Sequence, residues 1–221
     1  LEGLQGFYEG IALMRGSVER NWDHLFPQLD PEDDYDPMER MNIIGSLSPT
    51  QTMMSDQDAM KFSHRLMNVP LCKPADPRLP QPTMRHLLAA TGELSTPDAE
   101  AKDFPPKELI DAAFKEADIQ HLQATDQMLQ GCLEQLQALD YALTRRVGAA
   151  AAPNLDRLAK LLKQMHAKTA GYLELRGYGT IGAPPESTED LPHNPTDGKD
   201  RTNPAEVLVL DRKLSGQITS N

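Results

Sequence analysis

Five carboxylates crowd together at Asp30, Glu32, Asp33, Asp34 and Asp36. Such a cluster has the chemistry to hold a hard cation such as calcium, which takes oxygen ligands. The spacing does not fit an EF-hand, because the central glycine and the distal glutamate are absent. The same groups also have a structural use: some cap the helix entered at Met38 and pair with Arg40, and the rest stay solvated. The structural use is the expectation here, and no metal-ligating residue is assigned.

The other reactive side chains are scattered. His24, His64, His86, His121, His166 and His193 show neither HxxxH nor HExxH spacing, and a zinc site needs at least three ligands brought together by the fold. Cys72 and His86 are the pair that could converge, with nothing local to support it. Cys72 and Cys132 form no CxxC, and Cys132 falls on an apolar helical stripe, where a buried inert thiol is expected. No GxSxG elbow exists. Gly177-Tyr178-Gly179-Thr180-Ile181-Gly182 echoes a nucleotide loop but lacks the preceding strand and following helix. Trp22 suits either an exposed interface anchor or a plug between two helices, the plug being favoured. The methionines from Met53 to Met67 suit core filling better than an adaptable binding surface. No catalytic or cofactor-binding residue is assigned, and no cofactor is expected.

These residues must be positioned by helices. Leu4, Phe7, Ile11, Met14, Val18, Trp22 and Leu25 recur at spacings of three and four, predicting one helix over Leu4 to Leu25, stopped by Pro27 and Pro31. Asp36 as N-cap and Pro37 at the first helical position restart a helix carrying Met41, Ile43, Ile44 and Leu47 up to Ser48-Pro49. Residues 50 to 82 read as a short helix or packed loop, then an extended stretch from Val69-Pro70 to Pro82. A brief helix spans Thr83 to Gly92, ended by its glycine. Glu93 to Phe104 reads as a linker.

From Pro105 or Pro106 one helix is predicted to run to about Val147. Its stripe is Leu122, Thr125, Leu129, Cys132, Leu136, Leu139 and Leu143. Within it, Gly131 costs about 1 kcal/mol relative to alanine. After Gly148, Asn154 caps a helix bearing Leu155, Leu158, Leu162, Met165, Thr169 and Tyr172. Two such seams joined by a short loop predict an antiparallel helical hairpin. Gly177 to Pro204 reads as a flexible linker, Ala205 to Leu210 as a short strand or docking segment, and Ser215 to Asn221 as the lead-in to a further domain.

The expected fold class is therefore all-α, a multi-helix bundle. Residues 1–176 form the helical domain, with a short-helix subregion at 1–92 and the hairpin at 105–176. Residues 177–221 form a flexible tail. Eighteen prolines, scarce aromatics and plentiful leucine, alanine and methionine agree with helices joined by irregular stretches. A net charge of −11 argues against nucleic acid and anionic membrane as partners; it suits solubility or docking to a basic protein face, and ordinary bacterial cytosolic acidity is the favoured reading. No segment reaches the roughly 18 apolar residues of a membrane span. Leu1 begins in helical phase without a cap, so a fragment of a longer polypeptide is expected.

The run from Gly6 to Asn42 resembles the ImpA-type amino-terminal domain of TssA, an assembly-protein family of bacterial type VI secretion. The likeness rests on the glycine-bearing helix, Trp22-Asp23 followed by Leu25, the Pro27-Gln28-Leu29-Asp30 turn, and the Asp36-Pro37 to Arg40-Asn42 restart. A fainter likeness continues through Thr83 to Leu88, Ala112-Ala113-Phe114, Val147-Gly148 and Ala152-Pro153. The resemblance covers most of residues 4 to 176. It implies a cytoplasmic, non-enzymatic assembly factor whose partners are baseplate, tube and sheath proteins. It also implies that Trp22, Leu29, Asp36 and Arg40 define turns, and that the full-length protein forms homo-oligomers through a carboxy-terminal region absent here. The residues alone leave two alternatives: a helical module that dimerises through the hairpin seam, and an enzyme built on the acidic turn and histidines.

Overall fold

The structure, a computed structural model, describes residues 3–48, 61–94 and 103–179. Seven α-helices occur among them: α1 (Gly3–Arg20), α2 (Met38–Gly45), α3 (Phe62–Met67), α4 (Met84–Ala90), α5 (Lys107–Glu116), α6 (Ile119–Val147) and α7 (Asp156–Leu175). No named strand occurs among the described residues, only isolated bridges from Pro70 to Thr83 and from Pro74 to Ala117. The architecture is all-α.

The long helix α6 is the spine, because its stripe is buried throughout: Leu122, Thr125, Leu129, Cys132, Leu136, Leu139 and Leu143. Helix α1 packs along it in parallel, from Leu4 beside Cys132 to Glu19, whose carbonyl accepts from Arg146 at 2.7 Å. Helix α7 returns along α6 after a short connection, burying Leu158, Leu162, Met165 and Thr169. The two threonines in these seams satisfy their hydroxyls locally: Thr125 donates to His121 O and Thr169 to Met165 O, each at 3.0 Å. The seam is thereby consumed inside the protein. Asn154 accepts from the Asp156 N–H at 2.9 Å, as its capping role requires.

Two predicted helices are shorter than periodicity alone suggests. The first ends at Arg20, not Leu25, and Trp22–His24 continue it only as a 3-10 turn. The second, expected from Pro105 or Pro106 to about Val147, breaks between Glu116 and Asp118. There the Asp118 side chain accepts from Gln120 N–H and starts a new helix, while Ala117 turns extended. Arg176, just past α7, fixes that break by donating to Phe114 O and Ala117 O at 3.2 and 2.7 Å. Apolar spacing continues across the break because both helices face the same core, so periodicity does not register it.

The remaining elements close the bundle. Thr83 caps α4 in a reciprocal box with His86, and Gly92 ends the turn after it at φ +73°. Leu66, Met67, Leu71 and Cys72 are buried, so the stretch leading to Pro82 is packed rather than loose. The stretch expected as a linker is anchored at both ends. Leu94 N–H donates to Leu88 O at 3.0 Å, and the Phe104 ring stands edge-on to His86 at 5.6 Å. Met53, Met54, Met60, Thr180 to Pro204, Ala205 to Leu210 and Ser215 to Asn221 lie outside the described residues.

Candidate functional site

Where α1 stops, its last carbonyls lose their helical partners and the chain must turn. Three carbonyls in that turn, those of Trp22, Leu25 and Pro27, point at one side chain arriving from α2. Arg40 donates through Nη1 to Trp22 O at 2.7 Å, through Nε to Pro27 O at 2.6 Å, and through Nη2 to Leu25 O. Its guanidinium also lies 4.9 Å over the Trp22 ring. Arg40 is 3% exposed and Trp22 8% exposed. Burial pushes the Arg40 pKa below its usual value, and the negative charge of Asp23 opposes that. The expected pairing of Arg40 with the acidic turn is therefore corrected: the planar fork of donors matches backbone carbonyls spaced around a turn.

The acidic turn itself is built by two of its members. Asp30 Oδ1 accepts from Glu32 N–H at 2.8 Å and Asp36 Oδ1 from Met38 N–H at 3.0 Å. Asp36 thus serves the start of α2 as expected. Asp34 and Tyr35 adopt left-handed φ values of 51° and 58°, turning the chain into α2. The carboxylates of Glu32, Asp33 and Asp34 face solvent. Among the described residues no group of three His, Cys, Asp or Glu side chains is gathered closely enough to hold a metal ion.

Beside the Arg40 clasp lies an apolar groove of about 400 Å³ between α1 and α2. Leu13, Met14, Phe26, Ile43 and Leu47 line it, and Trp22 and Arg40 stand at its floor. Leu13 is 71%, Phe26 83% and Ile43 55% exposed, while Met14 is partly buried. Of the apolar residues that the second helix carries, Met41, Ile44 and Leu47 are buried and Ile43 faces out. The three-and-four spacing does not single out Leu13 or Phe26. Their signal was there: Leu13 falls off the three-and-four spacing of α1, and Phe26 follows the helix end.

The other candidate residues do not converge. His86 Nδ1 accepts from Thr83 N–H at 3.3 Å, so it belongs to the α4 cap, and the Cys72–His86 pairing is not formed. Burial lowers the His86 pKa, and the neighbouring Arg85 adds to it. Cys72 and Cys132 are fully buried, and burial pushes both thiols up to about 12, as inert thiols require. His166 Nε2 stands 3.3 Å from Asp126 Oδ1 between α6 and α7. Burial raises the Asp126 pKa, with His166 opposing it.

The stretch that holds the clasp has counterparts among known proteins. Residues 1–49 match the family described as ImpA, N-terminal, type VI secretion system. The chain is 30% identical over 164 residues to the type VI secretion system component TssA1 of Pseudomonas aeruginosa, covering 74% of this chain and 43% of that protein. It thus spans less than half the length of that relative. In fold it is similar to the N-terminal domain, including the conserved ImpA_N region, of the TssA component of the type VI secretion system from Burkholderia cenocepacia. That likeness has a TM-score of 0.62 at 21% identity and covers 80% of this chain and 67% of the other.

Proposed function

We propose, from the premise that this chain carries a TssA-type ImpA amino-terminal domain, that it is a non-enzymatic adaptor of the type VI secretion machine. It assists baseplate assembly and the polymerisation of tube and sheath, working in the cytoplasm, and its partners are proteins of those three assemblies. Oligomerisation belongs to a part of the protein outside this chain. The observation that carries the reading is the place of the family match: it falls on residues 1–49, the stretch in which the Arg40 clasp builds an exposed apolar groove. A rigid turn that holds apolar side chains out to solvent suits binding rather than turnover. Residues 1–176 are the working domain of this reading, with 177–221 as its connection onward. No helix among the described residues is long and apolar enough to cross a membrane.

Tagged chain, incubated with separately purified baseplate, tube and sheath proteins, tests the reading. Recovery of at least one of them above background is expected. Recovery of none overturns it. Dimerisation through the α6–α7 seam is disfavoured, because its leucines are already buried against one another and against α1.

A further inference from the structure

We propose that the α1–α2 groove receives an amphipathic helix of a partner protein, with its apolar stripe on Leu13, Phe26 and Ile43 and its flanks rich in lysine or arginine. This rests on the adaptor reading and gives it a face and a partner chemistry. Single exposed apolar side chains are ordinary, but three converging on one concave site with a buried tryptophan at its floor mark a docking surface.

The backbone decides the form of the occupant. The two long walls of the groove, from α1 and α2, are helices whose N–H and C=O groups are largely satisfied internally, the turn at Leu25 and Phe26 closes one end, and no strand edge is offered among the described residues. An extended peptide would find no strand edge to pair with along those walls. A helix brings its own backbone bonds already made, and only side chains need to match.

The rim decides the charge. Residues 3–48 carry nine carboxylates against three arginines. Arg40 is committed to the turn, and Arg15 lies 3.9 Å from Glu19. Glu9 sits one helical turn before Leu13 on α1, and Glu39 one turn before Ile43 on α2. Beyond Phe26 the exposed carboxylates of the 30–36 turn extend the negative field. A second copy of this chain would present the same acidic rim and be repelled, whereas basic flanks complement it.

The probe is a synthetic helical peptide with leucines at i, i+3, i+4 and i+7 and lysines at its flanks, read by the fluorescence of Trp22, the chain's single tryptophan. Saturable binding of this peptide is expected. Replacing its lysines by glutamates should weaken it at least about tenfold, as should Leu13→Ser with Ile43→Ser, or Glu9→Lys with Glu39→Lys, in the chain. These residues are exposed, so wild-type helical circular dichroism in both double variants is the folding control. Equal binding of the two peptides, equal binding of a lysine-bearing peptide with scrambled leucines, or no effect of either double variant overturns the proposal. A dimer in light scattering that disappears in the Leu13→Ser, Ile43→Ser variant also overturns it. Recovery of secretion-machine proteins by the wild type, lost in that variant, supports it. Equal recovery by both overturns the groove and leaves the adaptor reading standing. Peptide binding with no machine protein recovered supports the groove and sinks the adaptor reading.

Discussion

Arg40 shows how much one side chain can decide. Its guanidinium is buried, yet its donors go to carbonyls of the turn after α1, so the desolvation of the charge is offset by charge-assisted hydrogen bonds. Arg40→Ala removes the donors to all three carbonyls, of which only Trp22 O keeps another, the Leu25 N–H at 3.3 Å, and should cost about 3 kcal/mol in urea unfolding. Arg40→Lys, a point charge without the planar fork, should recover less than half of that loss. Asp126 tells the opposite story. Its proton is held more tightly in the folded state than in the unfolded chain, because burial raises its pKa above the ordinary 3.8. Its contribution is therefore fully present below that ordinary value and is lost as pH rises through the raised one. Asp126→Asn removes this loss. The difference in urea midpoint between variant and wild type should move in favour of the variant as pH rises from about 4 to about 7. A difference that stays flat would contradict the assignment.

At the scale of elements, close approach explains what helix propensity does not. Gly131 stands in the middle of α6, where alanine should be favoured by about 1 kcal/mol. An added Cβ would meet the Tyr8 ring of α1 at 3.2 Å, tighter than ordinary contact. Gly131→Ala should therefore gain less than propensity alone supplies, and Gly131→Ala combined with Tyr8→Leu should recover the difference in a double-mutant cycle. Additive single effects would show that the ring moves aside freely. The same logic governs the break between α5 and α6. Tyr172 stacks on Phe114 with centroids 3.8 Å apart and donates to Asp111 at 2.7 Å, so α7 holds α5 through a few specific side-chain contacts. The end of α7 locks the junction through Arg176. Such a junction is made by residues more than fifty positions apart, out of reach of any local pattern.

For the molecule as a whole, the described residues share one contiguous core that joins α1, α4, α5, α6 and α7 around the spine and includes both Cys132 and Cys72. Both thiols should resist an alkylating reagent in the native protein and react together only on global opening. Labelling followed by mass spectrometry tests this, and fast modification of either one alone would reveal a separately opening part. The all-α class, the buried stripes of α1, α6 and α7, the Asp36 and Asn154 caps, and the likeness of the Gly6 to Asn42 block to the ImpA-type domain were legible in the sequence. Each is a local matter: periodicity and capping act between residues a few positions apart, and a run of residue types at fixed spacing needs no tertiary knowledge to be read. The stop of the first helix at Arg20, the break at Ala117, the outward face of Ile43 and the partners of Arg40 were decided only by the tertiary structure. In every one of these the choice depends on which distant group meets a side chain. Arg40 had nearby carboxylates to pair with in sequence, but the folded turn presented it with three carbonyls at hydrogen-bonding distance and left the carboxylates of Glu32, Asp33 and Asp34 in water.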